Sequence, residues 1–187
     1  MIIICDRQHL GKPSNPGDHG ATHGALRETD LTDAYIAIAA ADLRAAGHTV
    51  YVLTTGEYGE RQKQANAIAV AAPTERVYYV ACHINAGGGS YGLVEYDGRS
   101  AGGARLAAGL ALGLGQLPEL SAHKTTALQN GERGWVCIAG IYTGPGNIAG
   151  AIYEPGFIDP AANAALWTAD GLARVGHALA SGLASLT

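Results

Sequence analysis

Short apolar runs alternate with longer amphipathic stretches along the chain. The apolar runs are rich in β-branched and aromatic residues, as is typical of buried strands, and they span residues 2–5, 49–54, 76–84 and 148–153. The amphipathic stretches have the repeat of α-helices, and they span residues 28–46, 60–72, 100–114 and 161–183. This alternation predicts an α/β fold: a single domain with a mostly parallel, mixed and twisted sheet of about six strands, flanked by helices on both faces.

Local features add detail to this prediction. The run from Tyr91 to Tyr96 alternates apolar and polar residues, which favours an edge strand. Thr29 or Asp30 can cap the first helix, and the arginine, lysine and glutamines of the second helix predict a solvated face. The glycines and prolines of residues 6–27 exclude a helix there and predict a long polar loop. Two further segments fit neither pattern clearly, residues 124–128 and 135–141.

The composition narrows the range of functions. Of the 187 residues, 48% are hydrophobic and 15% are charged, as expected for a globular domain. The net charge of −4 without a basic cluster argues against nucleic-acid binding, and no apolar run is long enough for membrane insertion. The amino-terminal residues lack the parts of a signal peptide, so we expect synthesis in the cytoplasm. Buried structural thiols rather than disulfides are predicted for three residues, Cys5, Cys82 and Cys137.

Polar side chains stand at the ends of three predicted strands. His9 follows the first strand, His83 lies at the end of the 76–84 run, and Glu154 follows the last strand. Ligands of open α/β sheets collect at the carboxyl ends of strands. Glu28 is at the start of a predicted helix, and the strand-to-loop connection before this helix would place Glu28 beside the other three residues. Two imidazoles and a carboxylate are usual ligands of a catalytic zinc ion, and a second carboxylate can act as general base. The alternatives are a histidine bonded to a backbone carbonyl in the core, and a glutamate that only stabilises a helix N-terminus.

Four blocks in the chain resemble, in order, the motifs of the zinc-dependent N-acetylmuramoyl-L-alanine amidases of the amidase type 3 family. Residues 3–11 (IICDRQHLG) are similar to the family's strand followed by Asp-Pro-Gly-His-Gly-Gly, and residues 25–31 (ALRETDL) to the glutamate that opens its first helix. Residues 81–86 (ACHINA) resemble Ser-Ile-His-Ala-Asn-Ala, and residues 151–159 (AIYEPGFID) resemble Leu-Val-Glu-x-Gly-Phe-x-Ser-Asn. Between these blocks, residues 61–67 (RQKQANA) resemble the family's helix with an arginine and Ala-Asn.

The resemblance implies a function for residues 1–187 as a single catalytic domain without a separate cell-wall-binding domain. It implies that His9, Glu28 and His83 bind one Zn²⁺ per chain and that Glu154 is the catalytic carboxylate. The reaction would be hydrolysis of the peptidoglycan amide bond between N-acetylmuramic acid and L-alanine of the stem peptide. Glu154 would take a proton from the attacking water and give it to the leaving amine, for which burial should raise its pKa. Asn85 would orient His83, bind substrate or cap the turn into Gly87.

The chain also departs from the family pattern. Arg7 and Gln8 replace Pro-Gly, and Leu10 replaces a glycine beside the expected ligand. His19 and His23 lie in the same loop, so either of them is an alternative to His9 as ligand. The remaining histidines stand outside the blocks and are expected at the surface: His48, His123 and His177.

Two other functions compete with the amidase. One is a zinc peptidase that uses the same scaffold on cell-wall peptides, and the other is a non-catalytic peptidoglycan-binding module. A single domain without a signal peptide resembles a phage endolysin, which would act on the cell wall after release and need a separate membrane-permeabilising protein. Recognition of the wall would then come from the 10–27 loop and the region around Tyr91, Tyr96 and Trp135.

Overall fold

The computed structural model describes residues 1–159 and 161–186, and it confirms the predicted α/β fold. The strands are β1 (Ile2–Arg7), β2 (Thr22–His23), β3 (Leu26–Arg27), β4 (Thr49–Leu53), β5 (Val77–Cys82), β6 (Gly92–Asp97), β7 (His123–Leu128) and β8 (Ile148–Glu154). The helices are α1 (Glu28–Ala45), α2 (Tyr58–Ala71), α3 (Ala101–Leu114), α4 (Ala139–Tyr142) and α5 (Ala169–Ala184). A six-stranded sheet has the order β4-β1-β5-β8-β6-β7, and β2 and β3 form a separate hairpin. Among the described residues, no helix combines the length and the apolar character needed to span a membrane.

The order in which strands are added to the sheet reverses direction at β1. This strand pairs in parallel with β4 on one side and with β5 on the other. Because α1 leads from β1 to β4 and α2 leads back past β1 to β5, a crevice forms at the carboxyl ends of β1 and β5. His9 follows β1 and His83 follows β5. The topology therefore brings both imidazoles to the same edge of the sheet.

Two apolar clusters fill the two faces of the sheet. On one face, α1, α3 and α5 cover alternate strand residues such as Ile3. On the other face, α2, α4 and the 3-10 helix Trp135–Cys137 cover the intervening residues, such as Ile4 and Ile152. Since side chains alternate along a strand, Glu154 shares this second face with Ile152. Burial on both faces explains the continuous apolar runs, and the three cysteines are buried free thiols, as predicted: Cys5, Cys82 and Cys137.

The structure corrects the prediction of an edge strand at Tyr91–Tyr96. β6 lies inside the sheet, antiparallel to β8 and parallel to β7, so β4 and β7 are the edges. Val94 is fully buried, whereas Glu95 lines a cavity. The alternation that suggested an exposed edge therefore reflects a polar side chain that faces a cavity. The segments without a clear pattern form the edge strand β7 and the short helical turns around residues 135–142.

Two helix starts also differ from the prediction. α1 begins at Glu28, so the N-cap is Arg27 rather than Thr29 or Asp30. The predicted closing helix is two elements, a 3-10 helix at Ala161–Trp167 and then α5. The break falls at Thr168, whose hydroxyl caps α5 by accepting a hydrogen bond from the Gly171 N–H. A cap of this kind begins a new helix rather than continuing the previous one.

The polar residues of α2 do not all form a solvated face, which corrects that prediction. Arg61 and Gln62 are 0% and 3% exposed, whereas Lys63 is exposed. Gln62 donates a 2.7 Å hydrogen bond to the Val136 carbonyl, and Arg61 binds the loop that carries His9. Hydrogen-bond partners thus offset the cost of burying these polar side chains.

Candidate active site

Glu28 is the first residue of α1, and its carboxylate points into the protein. The side chain is almost fully buried, and its oxygens accept hydrogen bonds from the Ala21 N–H (2.7 Å) and the Ile84 N–H (2.9 Å). Burial raises the pKa of Glu28, but the His83 hydrogen bond and the charges of His83 and His9 outweigh it and bring the pKa below its ordinary value. The Glu28 carboxylate is therefore ionised and held in a fixed orientation by these hydrogen bonds, so its role is not limited to stabilising the N-terminus of α1.

His9 and His83 converge on this carboxylate. His83 Nδ1 lies 2.9 Å and His9 Nε2 lies 3.6 Å from Glu28 Oε1. One ligand atom from each of the three residues lies within 4.8 Å of the other two. Ligands that are about 2.0–2.1 Å from a tetrahedral zinc ion are about 3.3 Å apart. The spacing therefore suits a metal ion held between the three side chains.

The two ring nitrogens of His83 have different surroundings. Nδ1 faces Glu28, whereas Nε2 is buried and has no hydrogen-bond partner among the described residues. The nitrogen of His83 that would reach a metal ion between the three side chains is therefore Nδ1. Burial lowers the pKa of His83, but Cys137 and Glu28 outweigh that effect and raise the pKa well above its ordinary value. The donor set of two imidazoles and a carboxylate fits Zn²⁺, and binding would release the proton of His83.

Asp18 holds His9 from the side opposite Glu28. Asp18 Oδ2 lies 3.0 Å from His9 Nδ1 and accepts a 2.6 Å hydrogen bond from Lys12 Nζ. Burial raises the pKa of Asp18, but hydrogen bonds from Lys12 and His9 hold that pKa far below its ordinary value. An anionic Asp18 favours a proton on His9 Nδ1, which leaves Nε2 as the ligand atom toward Glu28. The sequence did not single out Asp18, because contacts within an irregular loop have no period.

Gly20 allows the loop to approach the candidate ligands closely. Its φ is +66°, and a side chain at this position would collide with the Glu28 carboxylate and the His9 ring. Glycine is the residue that combines this backbone conformation with such a close approach. The loop backbone is thereby packed directly against both ligands.

The other histidines lie apart from this cluster. His19 Nδ1 lies 3.4 Å from the Thr29 hydroxyl, and His23 is exposed in β2. The group that could hold a metal consists of His9, Glu28 and His83, without either of them. As expected for surface positions, two further histidines are exposed, His123 and His177. His48 is half-buried rather than exposed.

Glu154 ends β8 and lines the same cavity as the candidate ligands. Asn85 Nδ2 donates a 2.6 Å hydrogen bond to Glu154 Oε2, so Asn85 contacts this carboxylate rather than His83. Burial raises the pKa of Glu154 to about 7, and the Glu95 and Glu28 carboxylates add to the rise against the opposing effect of nearby cations. A carboxyl group that titrates near neutral pH can accept and then donate a proton.

The cavity has a volume of about 550 Å³ and opens over the second face of the sheet. Its wall includes two charged residues that the sequence pattern did not single out, Glu95 and Arg133. Asp18, Gly20 and Ala21 contribute the part of the 10–27 loop that reaches the cavity. Residues that we expected near a recognition surface lie outside this lining: Tyr91, Tyr96 and Trp135.

A buried ion pair lies behind the site. Arg61 Nη1 donates 2.6 Å hydrogen bonds to Asp6 Oδ1 and to the Arg7 carbonyl, and Nη2 donates to the Leu10 carbonyl. The Arg7 and Leu10 carbonyls flank His9 in the chain, so Arg61 holds the backbone on both sides of this residue. Gln8 donates a hydrogen bond to Asp6. The Arg7-Gln8 departure from the family pattern is thus accommodated by one buried network.

Solved structures with the same fold include several amidases. Cwp6 from Clostridium difficile is 21% identical with a TM-score of 0.77; the match covers 100% of this chain and 29% of that one. The N-acetylmuramoyl-L-alanine amidase AmiC2 of Nostoc punctiforme is 18% identical with a TM-score of 0.74, covering 99% and 96%. The catalytic domain of the CD27L endolysin targeting Clostridia difficile is 18% identical with a TM-score of 0.63, covering 96% of each chain.

No protein-family model and no curated protein sequence matches the chain. The match to Cwp6 spans about 29% of that protein's length. At these identities the likeness establishes a shared fold: the chain has the fold of solved N-acetylmuramoyl-L-alanine amidases.

Proposed function

We propose that this protein is a zinc-dependent N-acetylmuramoyl-L-alanine amidase that hydrolyses the bond between N-acetylmuramic acid and L-alanine in peptidoglycan. The observation that carries the proposal is the convergence of His9, Glu28 and His83 in one cavity with Glu154, whose pKa is raised to about 7. The fold shared with amidases supports the same activity. A phage-type endolysin role would follow if the enzyme reaches the wall after release.

Each residue has a chemical task in this proposal. His9, Glu28 and His83 would hold the zinc ion, which supplies Lewis acidity to polarise the scissile carbonyl. Asp18 keeps His9 in the tautomer whose Nε2 faces Glu28. The remaining steps belong to side chains around the carbonyl carbon.

Glu154 acts as both general base and general acid in this proposal. Ionised Glu154 takes a proton from the attacking water while the water oxygen bonds to the carbonyl carbon. The protonated carboxyl then donates that proton to the leaving nitrogen as the carbon–nitrogen bond breaks, so the peptide leaves as a free amine. The hydrogen bond from Asn85 keeps one oxygen of Glu154 in place and leaves the other available for this transfer.

The experiment that tests the proposal is product analysis on purified peptidoglycan. We expect new L-alanine amino termini, intact glycan chains and no new reducing ends, and we expect these products to disappear with Glu154→Gln. New amino termini at other stem positions would instead identify a peptidase. Binding to peptidoglycan without any new terminus would identify a non-catalytic binding module and would overturn the proposal.

A further inference from the structure

Arg133 is an arginine on a cavity wall that is rich in carboxylates. The cavity lining contains the carboxylates of Asp18, Glu28, Glu95 and Glu154, and Arg133 is the one arginine or lysine in that lining. Its side chain is exposed, and among the described residues it makes no hydrogen bond or ion pair. Lys12 and Arg61, which are buried, differ from Arg133 in that they form ion pairs with Asp18 and Asp6. The guanidinium of Arg133 is therefore available to a ligand.

The loop that carries Arg133 has a defined conformation. The Gln129 N–H donates a 2.6 Å hydrogen bond to the Glu132 side chain, and the Trp135 N–H donates to the Glu132 carbonyl at 3.1 Å. Beyond the loop, Trp135 Nε1 donates a 3.1 Å hydrogen bond to Asp97. These contacts fix the loop at both ends and place Arg133 at a set position on the rim.

Gly134 brings this loop against the acidic wall. Its φ is +87°, and a Cβ at this position would lie 3.1 Å from Glu95 Oε2 and 3.2 Å from Ile152 Cδ1. Because Gly134 has no side chain, the backbone next to Arg133 can pack closely against Glu95 of β6 and Ile152 of β8. The positive charge opposes the rise in the pKa of both Glu95 and Glu154, so it acts over the same part of the cavity as the proposed base.

We propose that Arg133 binds a carboxylate on the leaving peptide of the substrate and thereby selects peptides that carry a free acid near the scissile bond. The inference rests on the proposed amidase function, because Glu154 defines which side of the cavity the leaving amine occupies. A planar guanidinium forms paired hydrogen bonds with a carboxylate. Away from the proposed metal ligands, a substrate carboxylate close to Glu95 or Glu154 would meet the repulsion of those carboxylates.

The leaving peptide is the part of the substrate with a suitable group. Its first residue, L-alanine, has its carboxyl group in a peptide bond and offers no charge there. The second residue can carry either a free carboxylate or a carboxamide of nearly the same shape. Arg133 would distinguish these two groups. A carboxamide is uncharged and cannot form an ion pair with the guanidinium, and its NH₂ group would face an N–H donor of Arg133 instead of being accepted by an oxygen.

The test uses two synthetic N-acetylmuramoyl peptides that differ only at that second residue, D-glutamate in one and D-isoglutamine in the other. We expect wild-type kcat/KM to favour the D-glutamate substrate by about 10- to 100-fold. Arg133→Gln should remove this preference by slowing hydrolysis of the acid substrate, and Arg133→Lys should restore part of it. Arg105→Gln, which removes the same charge from the exposed surface of α3, should keep the wild-type preference.

A binding measurement separates the inference from the activity. The free peptide L-alanyl-γ-D-glutamyl-L-lysine should bind the wild-type protein more tightly than its D-isoglutamine counterpart, and Arg133→Gln should remove the difference. If the wild type cleaves both substrates but Arg133→Gln lowers both rates equally, the inference is wrong and the amidase function stands. If the wild type cleaves neither substrate, the proposed function fails and the inference fails with it.

Discussion

Replacement of Arg61 by methionine is the perturbation whose effect the structure constrains most closely. Arg61 is fully buried and donates hydrogen bonds to Asp6 and to three carbonyl groups, those of Arg7, Leu10 and Gly56. Methionine fills a similar volume but donates none of these bonds. The variant would leave the Asp6 carboxylate buried without its cation and would release the backbone on both sides of His9.

The expected loss of stability is large. Removal of one partner of a buried ion pair costs about 3–5 kcal/mol, because the other charge stays uncompensated. A domain of ordinary stability has about 5–15 kcal/mol in total, so the variant would lose at least about a fifth of its free energy of unfolding. At about 2–4 °C per kcal/mol for a domain of this size, the melting temperature should fall by roughly 6–20 °C.

Urea unfolding followed by circular dichroism measures this loss, and two further variants sharpen the result. Arg61→Met combined with Asp6→Asn should be more stable than Arg61→Met alone, because the unpaired charge is gone. Lys63→Met changes an exposed cation of the same helix and should cost less than about 0.5 kcal/mol. A loss below about 1 kcal/mol for Arg61→Met would refute the idea that this ion pair holds the His9 segment.

The pH dependence of the same variant has a definite sign. Burial raises the pKa of Asp6, and the Arg61 charge opposes that rise. Without Arg61, the folded-state pKa of Asp6 should rise further above its unfolded value. As the pH falls through this raised pKa, Asp6 becomes protonated in the folded protein and the cost of its unpaired charge disappears. The stability deficit of Arg61→Met should therefore be smaller at acidic than at alkaline pH.

Three further predictions concern the site itself. Glu154→Gln should keep the metal and lower the hydrolysis rate by about 10²–10⁴-fold. Because the ionised form of Glu154 prevails above its pKa of about 7, the wild-type rate should rise as the pH increases through neutrality. A flat pH profile in that range would contradict the role of Glu154 as the base. Asp18→Asn should weaken zinc binding by about 10–100-fold in a competition titration, whereas unchanged affinity would mean that His9 does not depend on this carboxylate. His19→Ala and His23→Ala should each keep the zinc content of the wild type, and a loss in either variant would reassign the ligand.

The sequence predicted those parts of the site that depend on regular elements. His9, His83 and Glu154 each follow or end a strand of the parallel part of the sheet, so the pattern of strands was enough to bring them to one edge. Glu28 could be placed because it opens the helix after the first loop. The roles of these four residues as ligands and base stay predictions until a metal and an activity are measured.

Other parts of the site were beyond the sequence pattern for physical reasons. Asp18 and Arg133 lie in loops, where contacts depend on individual turns and have no periodic signal. Glu95 alternates with apolar neighbours in the way that a solvent-facing residue does, so its cavity-facing position became clear only from the pairing of β6 with β8. Arg61 looked solvated, because polar residues on a helix indicate solvent unless a buried partner such as Asp6 is known.

The metal content of the purified protein tests the central claim most directly. After zinc reconstitution and removal of free metal, we predict about one zinc ion per chain in the wild type and in the exposed-surface control His123→Ala. The same measurement on His83→Ala should give almost none, while its circular dichroism spectrum stays that of the folded protein. A wild-type protein without zinc, or a folded His83→Ala variant that still holds a full equivalent, would contradict the proposed site.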